Sequence, residues 1–153
     1  LVENVTVMGQ AFGSLRTQSI TTTTQALTAY NADIFENNVT VTQTGATNLT
    51  TSMSPISVGA SGFYRVGFNV AMTTNSNALY TFEVYKNGLP TGVLCVVDLN
   101  NNNIDAGSGS INAITQTVLL NTDNLEIYGY NDGGTSAVTY TSVTFNIQRI
   151  GTV

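Results

Sequence analysis

Residues 62–70 read Gly-Phe-Tyr-Arg-Val-Gly-Phe-Asn-Val, and from Tyr64 onward the apolar positions recur at every second residue. Side chains of a β-strand point alternately to its two faces, so a strand that is buried on one side shows this period of two. The pattern predicts a strand whose core face carries Tyr64, Val66, Phe68 and Val70. The opposite face of that strand then carries Arg65, Gly67 and Asn69.

The chain after residue 70 repeats this pattern between turn signals. Tyr80, Phe82 and Val84 alternate with Thr81, Glu83 and Tyr85, and the strand ends at Asn87-Gly88, a strong hairpin signal. Pro90 predicts a break after the hairpin, because proline has no N–H to donate to a strand ladder. Further strands are predicted at residues 93–99, 111–120 and 125–130, and in a last strand with Val143, Phe145 and Ile147 on its core face. With no segment of helical periodicity, the chain is predicted to be all-β.

The first part of the chain carries a weaker signal. Short strands are predicted at residues 32–35, 39–42 and 56–58. Residues 1–25 are interpreted as an N-terminal arm or linker, with part of the first strand as the alternative, and residues 26–153 as a single knob domain. A length of 153 residues fits one domain with a substantial core.

The composition is apolar enough for a core but poor in charge. Hydrophobic residues make up 42% of the chain and charged residues only 8%, against roughly 25% charged in an ordinary soluble domain. The four basic residues are scattered at Arg16, Arg65, Lys86 and Arg149, which argues against nucleic-acid binding and against anionic membrane surfaces. No apolar run approaches the roughly 18 residues of a membrane span, so we expect no membrane insertion.

Several landmarks occur in the order found in a known superfamily. Residues 62–66, Gly-Phe-Tyr-Arg-Val, and residues 85–88, Tyr-Lys-Asn-Gly, resemble a core strand and a hairpin of the tumour necrosis factor and complement globular-head superfamily. Leu119, Asp123, Leu125 and Ile127 resemble its next strand pair, and residues 144–147 its closing strand. Thr122 and Asn124 depart from the usual pattern around the aspartate.

This resemblance, over about residues 30–150, implies a two-sheet antiparallel jelly-roll sandwich assembled as a homotrimer. The interface rich in aromatic residues that marks the hormone-like members is not evident, so receptor identity does not carry over. The disulfide-free composition, rich in Asn and Thr, is more similar to the knobs of bacteriophage spikes and head fibres and of bacterial spore-surface filaments.

Catalysis finds little support in the residue types. The chain has no histidine, and its single cysteine, Cys95, lies in an apolar run and is interpreted as a small buried hydrophobic residue. Asp98, Asp105, Asp123 and Asp132 are interpreted as solvated turn residues that cap local backbone. We therefore predict a protein that is not an enzyme.

A calcium loop is the only metal site that the sequence suggests. Residues 98–105 place oxygen ligands at alternate positions, which makes Asp98 and Asp105 candidates. The pattern has Asn103 where the glycine belongs and Gly109 where the bidentate glutamate belongs. A polar loop is the favoured interpretation, and no cofactor is expected.

Two surfaces are candidates for ligand binding. Tyr85, Tyr128 and Tyr130 share a face with Glu83 and Glu126, and the superfamily resemblance implies that their two strands are neighbours in the outer sheet. Exposed aromatic rings beside carboxylates suit stacking on a sugar; the alternative is that the N-terminal arm covers them. The polar segments 98–109 and 131–136 are the second surface. The candidate ligand-binding residues are Tyr85, Tyr128, Tyr130, Asn100, Asn102 and Asp132.

Self-association is predicted on the face that carries Arg65. Strand alternation and the superfamily resemblance place three sets of side chains around a threefold axis: Arg65, Gly67 and Asn69; Ile114, Gln116 and Val118; and Thr144, Asn146 and Gln148. Three copies of Arg65 near an axis would repel one another unless each is paired. The predicted interface residues are Arg65, Asn69, Ile114, Gln116, Val118 and Asn146.

These observations favour a virion-surface knob, in a bacteriophage spike, head fibre or decoration protein, that mediates host attachment. Its expected location is the virion surface or the extracellular space, and its expected partners are itself, other virion proteins, and a neutral glycan or protein on the host surface. The alternative is a spore-surface or capsid-cementing structural protein without a ligand.

Overall fold

The computed structural model describes residues 8–13, 16–27, 34–37, 39–44, 50–55, 61–74, 76–99, 107–119 and 122–152. Within these ranges the chain forms β-strands joined by turns, and no helix is present that could span a membrane. The strands are β1 Met8–Gly13, β2 Arg16–Ile20, β3 Gln25–Ala26, β4 Ile34–Asn37, β5 Val39–Thr44, β6 Thr50–Pro55, β7 Gly62–Thr74, β8 Ala78–Lys86, β9 Leu89–Leu99, β10 Gly107–Leu119, β11 Leu125–Asn131 and β12 Ser136–Gly151.

The strands form two six-stranded antiparallel sheets. Sheet A has the order β10-β7-β12-β1-β4, with β2 also paired to β12. Sheet B has the order β5-β6-β11-β8-β9, with β3 also paired to β11. β12 lies between β7 on one side and β1 and β2 on the other, so it is the central strand of sheet A.

The core lies between the two sheets and is built from the predicted alternation. Tyr64, Phe68, Tyr80 and Phe82 are completely buried, which confirms their assignment to the core. Val143, Phe145 and Ile147 of β12 are buried as well. Burial of aromatic side chains of this size contributes a large hydrophobic stabilisation.

The buried face of β12 extends further than the sequence pattern indicates. Val138 and Tyr140 are completely buried, although they stand out of phase with Val143 and Phe145. A β-bulge between Tyr140 and Ser142 inserts one extra residue and restores the phase. Tyr140 thereby reaches the core, where its ring meets that of Phe82 edge to face at a centroid distance of 6.3 Å.

The hairpin at residues 87–88 forms as predicted, but the strand break at Pro90 does not. Asn87 and Gly88 have φ angles of 53° and 78°, the left-handed values that a tight hairpin turn requires. Pro90 lies inside β9, opposite Tyr85. Proline is tolerated there because β9 is at the edge of sheet B, where an N–H is not needed for a further strand.

Residues 8–13 and 16–26 are part of the sandwich. β1 and β2 pair with β12, and β3 pairs with β11, so these three strands belong to the two sheets. The buried Tyr140 hydroxyl donates to Gln18 Oε1 at 3.0 Å, and Gln18 Nε2 donates to the Ala26 carbonyl at 2.9 Å. These bonds attach the segment to the core; residues 1–7 lie outside the described residues.

The short strands predicted before residue 62 are found in part. The prediction at residues 32–35 corresponds to β4, which begins at Ile34, and the prediction at 39–42 corresponds to β5. The strand predicted at residues 56–58 falls outside the described residues, and β6 ends just before it at Pro55.

Candidate functional site

Two of the candidate tyrosines stack on one another on the outer face of sheet B. Tyr85 of β8 and Tyr128 of β11 have ring centroids 4.3 Å apart and ring planes 16° apart. Both side chains are half-buried, whereas Tyr130 is 37% exposed. We call these three residues the tyrosine patch. The stack uses one ring face of each of its two members, so only their outer faces remain for a ligand.

Two glutamates alternate with the stacked tyrosines on the same face of β8 and β11. Glu126 is directly opposite Tyr85 and Glu83 is directly opposite Tyr128 in the pairing of β8 with β11. Burial raises the pKa of the Glu126 carboxyl above its ordinary value. The pKa of the Tyr128 hydroxyl is also raised, first by burial and then by electrostatic repulsion from Glu126 and Tyr85. Glu83 has a structural contact, since its Oε2 accepts the Gly92 N–H at 2.9 Å.

The N-terminal segment lies beside the tyrosine patch within the sheet. Ala26 is paired with Tyr128 and Gln25 with Gly129, and the Leu27 N–H donates to the Ile127 carbonyl at 3.0 Å. Residues 25–27 therefore extend sheet B at its backbone, next to β11, and Tyr130 keeps its exposure.

Sequence reasoning missed the aliphatic residues that flank the tyrosine patch. Leu79, Leu94 and Val96 are 41%, 46% and 40% exposed. The apolar run at residues 93–97 does not show which of its side chains is buried. The structure places Cys95 and Val97 in the core and Leu94 and Val96 outside. Alternation within the run is the one signal that could have separated the two sets.

The candidates in the polar loops have structural contacts or lie outside the described residues. Asp132 is exposed in the turn after β11, and its Oδ1 accepts the Leu79 N–H at 2.9 Å while its own N–H donates to the Leu79 carbonyl at 3.2 Å. Asp98 is in β9 opposite Leu79, so its assignment to a turn is wrong. Asp98 and Asp132 line the same shallow cleft at this end of sheet B. Asn100 and Asn102 lie outside the described residues.

Asp123 is buried, which corrects its interpretation as a solvated turn residue. It is only 7% exposed, because the tip of the β8–β9 hairpin packs against it. Asn87 Nδ2 donates to Asp123 Oδ1 at 2.7 Å, and Lys86 Nζ lies 3.6 Å from Asp123 Oδ2. Asn124 N in turn donates to Asn87 Oδ1 at 2.9 Å. Asp123 therefore fastens the hairpin to the loop between β10 and β11.

The described residues of the candidate calcium loop do not fit a calcium site. Gly109, which stands at the position of the bidentate glutamate, is in β10, and a Cβ there would collide with the Val97 side chain. The glycine is needed for this close approach between β9 and β10, and a glutamate could not replace it. No cluster of three metal-ligating side chains occurs among the described residues. Asp105 is outside them.

The predicted self-association residues occupy neighbouring positions in sheet A. Gln116 and Gln148 are the partners of Arg65 on either side, and Met8 pairs with Gln148; we call these four the Arg65 row. In the next row, Ile114 and Asn146 flank Gly67. Asn69 pairs with Asn112 and Thr144, and Val118 pairs with Phe63. Arg65 is exposed, Asn69, Val118 and Asn146 are half-buried, and Phe63 is 42% exposed.

Cys95 is buried, as predicted. It is 5% exposed, and burial raises the pKa of its thiol to about 12. A thiol in this state is a poor nucleophile near neutral pH, because the thiolate is the reactive form.

The fold resembles that of solved tumour necrosis factor structures. No protein-family model and no curated protein matches the chain. The Eiger TNF of S. frugiperda superposes with a TM-score of 0.65, covering 97% of this chain and 95% of that chain at 9% identity. Murine APRIL at pH 5.0 superposes with a TM-score of 0.63, covering 95% of this chain and 99% of that chain at 7% identity. At such low identity this likeness establishes the fold, and it confirms a jelly roll of the tumour necrosis factor type.

Proposed function

We propose that this tumour necrosis factor-like jelly roll is a virion-surface knob, of a bacteriophage spike, head fibre or decoration protein, which forms a homotrimer and attaches the particle to its host. The observation that carries the proposal is the separation of the two candidate surfaces. The Arg65 row belongs to sheet A and the tyrosine patch to sheet B. A trimer built on the first surface leaves the second one exposed for a ligand.

The chemistry of the surface supports attachment through several weak contacts. A surface with few charges suits a neutral glycan or a protein on the host, since a polyanionic receptor would favour clustered Arg and Lys. Three linked copies raise the avidity of a weak site without any new contact. The knob works at the virion surface or in the extracellular space, beside other virion proteins. We expect no enzymatic activity, metal or cofactor.

The oligomer is tested by sedimentation of the purified chain at micromolar concentration. A homotrimer is expected, and Asn146→Glu should weaken it, because it places a new negative charge from each of the three copies in the predicted interface. A monomeric wild-type chain would contradict the trimer and the interface together.

Attachment is tested by adsorption of the source particle to its host. Tyr128→Ala should reduce adsorption while leaving the sedimentation of the knob unchanged. Leu89→Ala is the control, because Leu89 is 69% exposed at the hairpin and is not part of the stack. Equal adsorption of the two variants would argue against the tyrosine patch as the attachment surface.

The second candidate function is a spore-surface or capsid-cementing protein without a ligand. Tyr85 and Tyr128 stack on each other and are half-buried, as they would be in a patch that only stabilises the sheet. A cementing protein should bind particles lacking it and should retain neither host-surface material nor glycans. An attachment knob should retain such material on its own.

A further inference from the structure

The exposed aliphatic residues form one surface with the tyrosine patch. Leu94 is opposite Glu83, which is opposite Tyr128, so one row crosses β9, β8 and β11. A second row crosses the same strands through Val96, Thr81 and Tyr130. Side chains directly opposite one another on one face lie roughly 5 Å apart, so Glu83 and Thr81 of β8 separate the aliphatic side chains of β9 from the tyrosines of β11 within one face. Exposed apolar surface of this kind marks interaction sites on soluble proteins.

The charge on this face is negative throughout. Glu83, Glu126 and Asp98 supply the carboxylates. Lys86 is the only basic residue in β8, β9 or β11, and it points toward the other sheet, with its Nζ 3.3 Å from the Val118 carbonyl. Glu126 has no hydrogen bond or ion pair to another of the described residues, although it is half-buried. A cation brought by a partner would compensate this charge.

A polypeptide fits this surface better than a sugar does. A saccharide stacks on a free aromatic face and needs polar groups around it for its hydroxyls, whereas Tyr85 and Tyr128 each use one face in their own stack. Leu94 and Val96 offer no hydrogen bonds. Arginine can pair with carboxylates and stack on the outer face of a tyrosine, and its apolar neighbours in a peptide can cover the aliphatic residues.

We propose that the outer face of sheet B, formed by Leu79, Leu94, Val96 and the tyrosine patch with Glu83 and Glu126, docks a polypeptide segment that carries arginine or lysine among apolar side chains. This proposal rests on the proposed surface function and names the class of partner for the same patch. Its partner is a protein on the host surface, recognised by its cationic and apolar side chains.

The test uses the full chain and two short peptides in amide NMR titrations. Both peptides are acetylated and amidated; one alternates arginine with valine and the other alternates glutamine with valine. The arginine peptide should shift amides in residues 79–85, 94–98 and 126–130 and bind about fivefold more tightly than the glutamine peptide.

Variants distinguish binding at this face from attraction to the negative net charge of the protein. Glu126→Gln should weaken the arginine peptide about threefold, and Leu94→Thr should weaken both peptides while keeping a residue that suits a strand. Glu36→Gln is the control, because it makes the same change of charge on β4, in sheet A. Its affinity should equal that of the wild type.

Three results would overturn the proposal. The first is chemical-shift changes spread over both sheets, and the second is equal weakening of the arginine peptide by Glu36→Gln and Glu126→Gln. Either result would indicate attraction to the net charge of the protein alone. The third is a neutral oligosaccharide, maltohexaose, that shifts the amides of this face when the arginine peptide does not. The titration uses no particle, so its failure is distinct from a failure of the adsorption assay that tests the proposed function.

Discussion

Replacing Asp123 with alanine should lower the free energy of unfolding by about 2–4 kcal/mol. The buried carboxylate accepts a hydrogen bond of 2.7 Å from Asn87 Nδ2, and a bond of this kind to a charged group contributes about 1.5–3 kcal/mol. The ion pair with Lys86, whose side chain is 36% exposed, adds at most about 1 kcal/mol because solvent screens it. Asp123→Asn should cost less, since it keeps an acceptor for Asn87 and loses only the charge.

The assay is urea unfolding followed by circular dichroism, at one protein concentration for all variants because assembly shifts apparent stability. Asp98→Ala is the control, since Asp98 is exposed on β9 and a surface change of this type stays within about 0.5 kcal/mol. A loss at Asp123 no larger than the loss at Asp98 would refute the conclusion that Asp123 fastens the hairpin to the loop after β10.

Three further predictions follow from buried groups and close contacts. Raising the pH from about 9 to 12 should destabilise the fold, because burial raises the pKa of Tyr64 and of Cys95 to about 12, while the same groups in the unfolded chain ionise at lower pH. In urea unfolding with reductant present, these two groups should account for a loss of about 4 kcal/mol at pH 11. An unchanged free energy of unfolding over this range would contradict their burial. Tyr140→Phe should cost about 1–3 kcal/mol in urea unfolding, because it removes the buried hydroxyl that donates to Gln18 Oε1. An unchanged unfolding free energy would show that this bond does not hold β2 to the core. Gly109→Ala should lower the melting temperature by more than Gly88→Ala does, because the new Cβ at residue 109 collides with the Val97 side chain, whereas residue 88 has free space and only a positive φ. Equal melting temperatures for the wild type and Gly109→Ala would contradict the close approach of β9 and β10.

The core of the sandwich could be predicted because apolar and polar residues alternate along its strands and so indicate which face is buried. Tyr64, Phe68, Tyr80 and Phe82 are in place for this reason, and the hairpin at Asn87-Gly88 follows from local turn chemistry. The resemblance to a known superfamily supplied the two-sheet arrangement. It also predicted that the strands of Tyr85 and Tyr128 are neighbours, which is how β8 and β11 are paired.

Features that depend on distant contacts could not be predicted from local patterns. The role of Asp123 depends on Asn87, which meets it only when the hairpin folds back across the end of sheet B. The edge position of β9 explains both the tolerance of Pro90 and the exposure of Leu94, and an edge is a property of topology. The bulge between Tyr140 and Ser142 changes which residues of β12 face the core, and no single residue type in the sequence predicts it.

The central position of β12 in sheet A has a consequence for synthesis. This 16-residue strand is synthesised after the other described strands, yet β1 and β2, at the start of the described chain, and β7, in its middle, pair with it. Until β12 leaves the ribosome, these earlier strands have unpaired edges that can bind the wrong neighbour. Native pairing of sheet A is therefore a late event across long sequence separations, which predicts slow folding and a need for protection of the nascent chain.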